Sequence, residues 1–132
     1  EAYRCEDADQ VFVTMGSMCG TVREAVDGLR DKGRKLGLLK IRQFRPFPGK
    51  LLRNLLQGLD QVLVLDRNYS PGNGGILYQE TKAGLYGMDR SPRVQGFLAG
   101  VGGVNISPTD IISIADIADP KSPQYSFASI WV

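Results

Sequence analysis

The 132-residue chain contains no histidine. This removes the commonest general base near neutral pH, the commonest metal ligand and every Ser–His or Cys–His catalytic pair. Cysteine is scarce: Cys5 and Cys19 form no CxxC pair, so neither a zinc ribbon nor an iron–sulfur cluster can be built from them. Two isolated cysteines in a chain of this size read as reduced thiols in a cytoplasmic setting. Long apolar runs are also missing. Stretches such as Val62 to Leu65 fall far short of the roughly 20 residues that a membrane helix needs. Charge of one sign is lacking as well. Sixteen basic and 14 acidic residues leave a net charge of +2, spread along the chain, which argues against a nucleic-acid surface built on charge alone. Glu1 to Asp7 holds neither an initiator methionine nor a signal-peptide core, and reads as a stretch interior to a longer protein.

What remains is an ordinary globular composition, 42% hydrophobic and 23% charged, enough for one domain. Strand and helix patterns alternate along it. Val11 to Met15 reads as a buried strand. Residues 20–32 read as a helix with Val22, Ala25, Val26 and Leu29 on one face and Gly33 as a left-handed cap. Leu36 to Phe44 reads as a second strand ended by Pro46 and Pro48. Pro48 opens a helix bearing Leu51, Leu52, Leu55 and Leu56, closed by Gly58. Gln61 to Asp66 is a third strand, followed by a nine-residue loop, Arg67 to Gly75, and a helix from Ile76 to about Tyr86. Val94 to Ala99 is the fourth strand. Ser107 caps the last helix, with Pro108 at its first position and Asp110 reaching back as a short capping-box partner. Tyr3 to Glu6 offers a further short edge strand. The domain thus spans residues 1–119, and residues 120–132 form an extended tail whose Tyr125, Phe127, Ile130, Trp131 and Val132 must be covered, on a partner or a symmetry mate rather than on this domain's own surface.

Near-continuous apolar strands separated by helices imply a parallel sheet covered on both faces. With the second and third strands on opposite sides of the first, the sheet is doubly wound, and a ligand crevice opens at the strands' carboxyl ends beside the first strand. Two loops line that crevice. Gly16-Ser17-Met18-Cys19-Gly20-Thr21 joins a strand to a helix N-terminus, where an anion can sit. It is neither GxGxxG nor a P-loop, and it reads equally as a tight turn capped by Ser17 or Thr21. The second, Asp66 to Gly75, exceeds the usual two to six residues and carries Arg67, Asn68 and Ser70; the plain alternative is a turn built on Asn73-Gly74-Gly75. Arg45-Pro46-Phe47-Pro48 presents one arginine on a rigid turn, or simply terminates its strand. Cys19, with no base nearby, reads as an inert thiol.

The ordered segments Met15-Gly16-Ser17…Gly20-Thr21, Arg45-Pro46-Phe47-Pro48, Leu65-Asp66-Arg67-Asn68…Ser70-Pro71-Gly72 and Gly100-Val101-Gly102-Gly103 resemble the pyruvate:ferredoxin oxidoreductase family, in the second core domain of its α-subunit. The resemblance covers residues 3–112. It implies a transketolase C-terminal-domain-like fold: a three-layer α/β/α sandwich around a mostly parallel sheet of four to five strands, with room for an antiparallel edge strand at Tyr3 to Glu6. It also implies a parent enzyme that oxidatively decarboxylates a 2-oxoacid, pyruvate first among the choices, to acyl-CoA. That enzyme uses thiamine diphosphate, magnesium, iron–sulfur clusters and coenzyme A, and hands electrons to ferredoxin. This stretch shows no Gly-Asp-Gly motif for a magnesium diphosphate and no cluster ligands. The resemblance therefore makes it an accessory domain, inactive alone, that holds other domains and subunits of the complex, or another copy of itself, in place. The switch-point candidates are Ser17, Thr21, Arg67, Asn68 and Ser70, with Arg45, as contacts for coenzyme A or a neighbouring subunit. The expected partners include no nucleic acid and no membrane. A stand-alone flavodoxin-like module binding a nucleotide or small molecule is the competing reading.

Overall fold

The computed structural model describes residues 1–119 and 121, and the backbone of residues 130 and 131. The element order is β1 (Ala2–Tyr3), β2 (Gln10–Met15), α1 (Met18–Asp31), β3 (Leu36–Ile41), α2 (Gly49–Leu56), β4 (Gln61–Asp66), α3 (Ile76–Leu85), β5 (Arg93–Leu98), α4 (Pro108–Ala118) and β6 (Ile130–Trp131). A short 3₁₀ turn, Val101–Gly103, lies between β5 and α4.

Side chains on successive strand residues point to opposite faces, and in β2 both faces are apolar. Phe12 packs beneath α1 and α4, among Val22, Val26, Leu29, Ile111 and Ile114. Its neighbours Val11 and Val13 pack on the other face with Leu52 and Leu56 of α2 and Leu77 and Leu85 of α3. This two-sided burial explains why the strands read as unbroken apolar runs. It also gives the three layers: α1 and α4, the sheet, then α2 and α3. The sheet order is β1-β3-β2-β4-β5-β6, with β3 and β4 flanking β2. All pairings are parallel except β1 with β3. The doubly wound mixed sheet with an antiparallel edge is therefore present, and the switch point lies beside β2.

Among the described residues the sheet has six strands rather than four or five, because Ile130 and Trp131 add a parallel edge opposite Phe97 and Leu98. Ile130 and Trp131 thus join the sheet of their own chain rather than that of a partner or symmetry mate, because the edge of β5 offers them a parallel ladder; Tyr125, Phe127 and Val132 lie outside the described residues. Strand β3 stops at Ile41, short of Phe44. Its register with β2 runs out at Met15–Ile41, so the next residues have no ladder to join. The edge strand is Ala2–Tyr3 rather than Tyr3 to Glu6, since Arg4 turns the chain with φ 52°. Tyr3 fixes this edge to α1 by donating its hydroxyl to Asp27, 2.9 Å from Oδ1. Helix α1 begins at Met18, two residues earlier than its apolar periodicity indicates. At α4 the capping box forms as expected: Ser107 Oγ accepts from the Asp110 amide, and Asp110 Oδ2 accepts from the Ser107 amide at 2.8 Å. Gly33 and Gly58, both at φ 82°, end α1 and α2 in the left-handed conformation.

Candidate functional site

The carboxyl ends of β2 and β4 meet at the switch point, and the chemistry there begins with Asp66. Its residue is only 4% exposed, and its carboxylate accepts two hydrogen bonds at 2.9 Å, from the Leu77 amide to Oδ1 and the Tyr78 amide to Oδ2. These are among the amides that the first turn of a helix leaves unpaired. Gly75, at the N-cap of α3, has no side chain to serve them, so an aspartate from the preceding strand does so across the nine-residue loop. The fit requires glycine: a Cβ at residue 75 would lie 2.1 Å from Asp66 Oδ2. Burial pushes the Asp66 carboxyl above its ordinary value, outweighing the two amide bonds that favour the anion. Within the loop, the Ser70 amide donates to Gly74 O and the Asn73 amide to Ser70 O, both at 2.9 Å. Its length and glycines thus serve a turn and a helix cap.

Arg67 does not pair with Asp66. Its exposed side chain lines a cavity of about 180 Å³ with Ser17, Met18, Thr21, Asn105 and Ile106. It forms no salt bridge or hydrogen bond among the described residues. The amides of Cys19 and Gly20 turn back to the carbonyls of Gly16 and Ser17, so the cleft owes its positive character chiefly to Arg67. Ser17 occupies the N-cap of α1, but its side chain makes no cap bond and its hydroxyl is exposed. Ser17, Thr21 and Arg67 therefore come together as the sequence suggests. Asn105 joins them unannounced, because a neutral amide between Val104 and Ile106 carries no local pattern.

Three candidates lie apart from this cavity. Asn68 is exposed on the loop, and Ser70 is tied by its backbone to Gly74. Neither lines the cleft. Arg45 is on another face: its Nη2 is 2.7 Å from Glu80 Oε1 on α3, and its guanidinium stacks 4.2 Å above the Phe44 ring. Phe44 and Phe47 meet edge to face at 5.9 Å, so Arg-Pro-Phe-Pro acts here as a packed turn. Burial pushes the thiols of Cys5 and Cys19 up, away from a reactive thiolate.

The cleft's size limits its occupant. At about 180 Å³ it is below the roughly 300 Å³ at which small-molecule sites begin, so it suits one phosphate, one carboxylate or one side chain rather than a flavin nucleotide. A larger cavity of about 620 Å³ opens at the opposite, amino edge of the sheet. Three aspartates, Asp9, Asp60 and Asp119, face three basic residues, Arg34, Lys35 and Arg93, around it, so its rim selects no ligand charge. Arg34 is already bound to Asp116 at 2.6 Å. Among the described residues, no three histidine, cysteine or acidic side chains converge as metal ligands, and no helix is long and apolar enough to cross a membrane.

Comparison with known proteins decides the family. The sequence profile of pyruvate:ferredoxin oxidoreductase core domain II matches residues 8–111. The chain belongs to this family. The chain is 46% identical over 114 residues to pyruvate synthase subunit PorA of Methanothermobacter thermautotrophicus, covering 86% of this chain and 29% of that subunit. It is also 46% identical over 111 residues to ketoisovalerate oxidoreductase subunit VorA of Pyrococcus furiosus, covering 84% of this chain and 28% of that one. The chain thus spans less than a third of either relative. Among solved structures it superposes on a split-gene transketolase, described as an inactive beta4 tetramer, with a TM-score of 0.63 at 17% identity, over 83% of this chain and 38% of that one. The fold is therefore transketolase C-terminal-domain-like.

Proposed function

We propose that core domain II here is an accessory and assembly domain of a 2-oxoacid:ferredoxin oxidoreductase, one that converts a 2-oxoacid to acyl-CoA and passes electrons to ferredoxin. The observation that carries this reading is the family match over residues 8–111. The equal identity to a pyruvate synthase subunit and a ketoisovalerate oxidoreductase subunit supports a reading in which other parts of the enzyme choose the 2-oxoacid. Its own donors do not suit a magnesium diphosphate. The cleft offers one guanidinium, two hydroxyls and an amide, while the nearby Asp66 carboxylate is turned onto the α3 amides. In this reading, thiamine diphosphate, magnesium and the iron–sulfur clusters are held by other parts of the enzyme, and this domain keeps those parts in register.

Within that role Arg67, with Ser17, Thr21 and Asn105 around it, grips a single anionic group: a phosphate of coenzyme A or a carboxylate of a neighbouring subunit. Arg45, bound to Glu80, is left out of this grip. The test is Arg67→Ala in the intact enzyme. Losing one charge-assisted contact of about 1.5–3 kcal/mol should weaken coenzyme A affinity or subunit association roughly tenfold or more. The melting temperature of the variant chain should stay unchanged, since Arg67 has no partner within the described domain. A lowered melting temperature with normal affinity and assembly would instead make Arg67 local scaffolding. The assembly role itself is tested by co-purification: recovery of this chain without any other subunit of the oxidoreductase would overturn it.

A further inference from the structure

Helix α2 carries two leucine pairs with different fates. Leu52 and Leu56 are each 1% exposed and pack on the sheet, whereas Leu51 and Leu55, one turn apart, are 57% and 38% exposed. Positions i and i+4 share one side of a helix, so the outer pair forms a short apolar stripe. Beside it lies a groove of about 190 Å³, floored by Leu39, Ile41 and Pro48 and closed on one side by Leu51 and Leu55. The groove sits at the sheet edge, where β1 pairs with β3 only at Leu38 and Leu39, and Glu1 exchanges backbone hydrogen bonds with Lys40.

The charge around this stripe is one-sided. Lys40 and Arg42 line the groove, and Lys50 stands exposed beside Leu51. None of the three forms a salt bridge among the described residues. The other arginines near α2 are occupied: Arg45 by Glu80, and Arg53 by the carbonyls of Gly84 and Tyr86. Among the described residues, the one acidic side chain lining the groove, Glu1, is 3.2 Å from Arg23. An apolar floor rimmed by uncommitted cations fits an apolar segment that carries carboxylates. A second copy of this chain is a poor occupant, because a two-fold contact would set the same cationic rim against itself.

We propose that this groove seats an acidic amphipathic segment of a neighbouring domain or subunit, its aliphatic side chains against Leu51 and Leu55 and its carboxylates on Lys40, Arg42 and Lys50. The proposal rests on the assembly role above and gives that role a surface. The test is made in the complete enzyme, with a photoreactive phenylalanine derivative in place of Leu51. Irradiation should link position 51 to a segment with at least two Asp or Glu within a turn of an aliphatic residue. The double variant Leu51→Ser/Leu55→Ser should lower recovery of the linked subunit at least tenfold. So should Arg42→Glu, and circular dichroism should show the fold of both variants intact. The proposal is overturned if the subunits co-purify but position 51 links to a basic or uncharged segment, to another copy of this chain, or to nothing. If no subunit co-purifies, the assembly role falls and the groove's occupant falls with it.

Discussion

A carboxylate sealed at the end of a strand must be solvated by protein, and at Asp66 the solvating groups are the Leu77 and Tyr78 amides. Removing it leaves buried donors without acceptors, so Asp66→Ala should destabilise the domain by about 1–3 kcal/mol. Its pH dependence runs opposite to that of Asp110. Burial raises the Asp66 carboxyl above its unfolded value near 3.9, so the native state holds that proton more tightly than the unfolded chain. Its stabilising contribution is complete below about pH 4 and is lost as pH rises through the raised value. Asp110 accepts from the Ser107 amide and hydroxyl and is lowered by both bonds. Its contribution is present above about pH 4 and is lost as pH falls through the depressed value. Urea unfolding of the wild type, Asp66→Asn and Asp110→Asn across acid to neutral pH reads both effects. The gap between wild type and Asp66→Asn should shrink as pH rises, while the gap to Asp110→Asn should grow. A gap to Asp66→Asn that widens with pH would show that the two amides outweigh burial.

Within α1, Gly28 sits mid-helix, and a Cβ there would meet only Ile112 Cδ1, at 4.0 Å. Gly28→Ala should therefore stabilise the domain by about 0.5–1 kcal/mol, seen as a raised denaturant midpoint. Gly75→Ala should do the reverse. Its methyl would displace Asp66 from the α3 amides, at a cost of about 1–3 kcal/mol. Because both changes break one contact, Gly75→Ala with Asp66→Ala should cost less than the sum of the two alone. These cases also show where sequence is legible. The Ser107-Pro108…Asp110 cap and the Val62 to Leu65 strand are local patterns, and local chemistry decides them. The end of β3 is not local: Ile41 is last because β2 ends opposite it. The Asp66 cap spans 11 residues to Leu77, and the glycines that permit it read in sequence as a ligand loop. Ser17, Thr21 and Arg67 could be joined because the topology rule brings their loops together. Asn105 could not, since it arrives from the β5–α4 connection without a recognisable motif.

Among the described residues, two helices on each face leave the sheet edges as the least protected parts, and both edges are closed by strands of two residues. Deleting residues 122–132 removes β6 and uncovers the outer side of Phe97 and Leu98. The expected result is a lower melting temperature with an unchanged mass by light scattering, because β6 belongs to its own chain's sheet. A fall in mass would assign the tail to contacts between chains. Ala2 and Trp131 lie at opposite ends of the strand order, five spacings or roughly 24 Å apart. A tether pulled between them therefore loads the sheet across its width, meeting first the strands held by only two residue pairs. Extended in an optical trap, the domain should give up β1 and β6 in small early steps and hold as a four-strand spring until a single larger rupture.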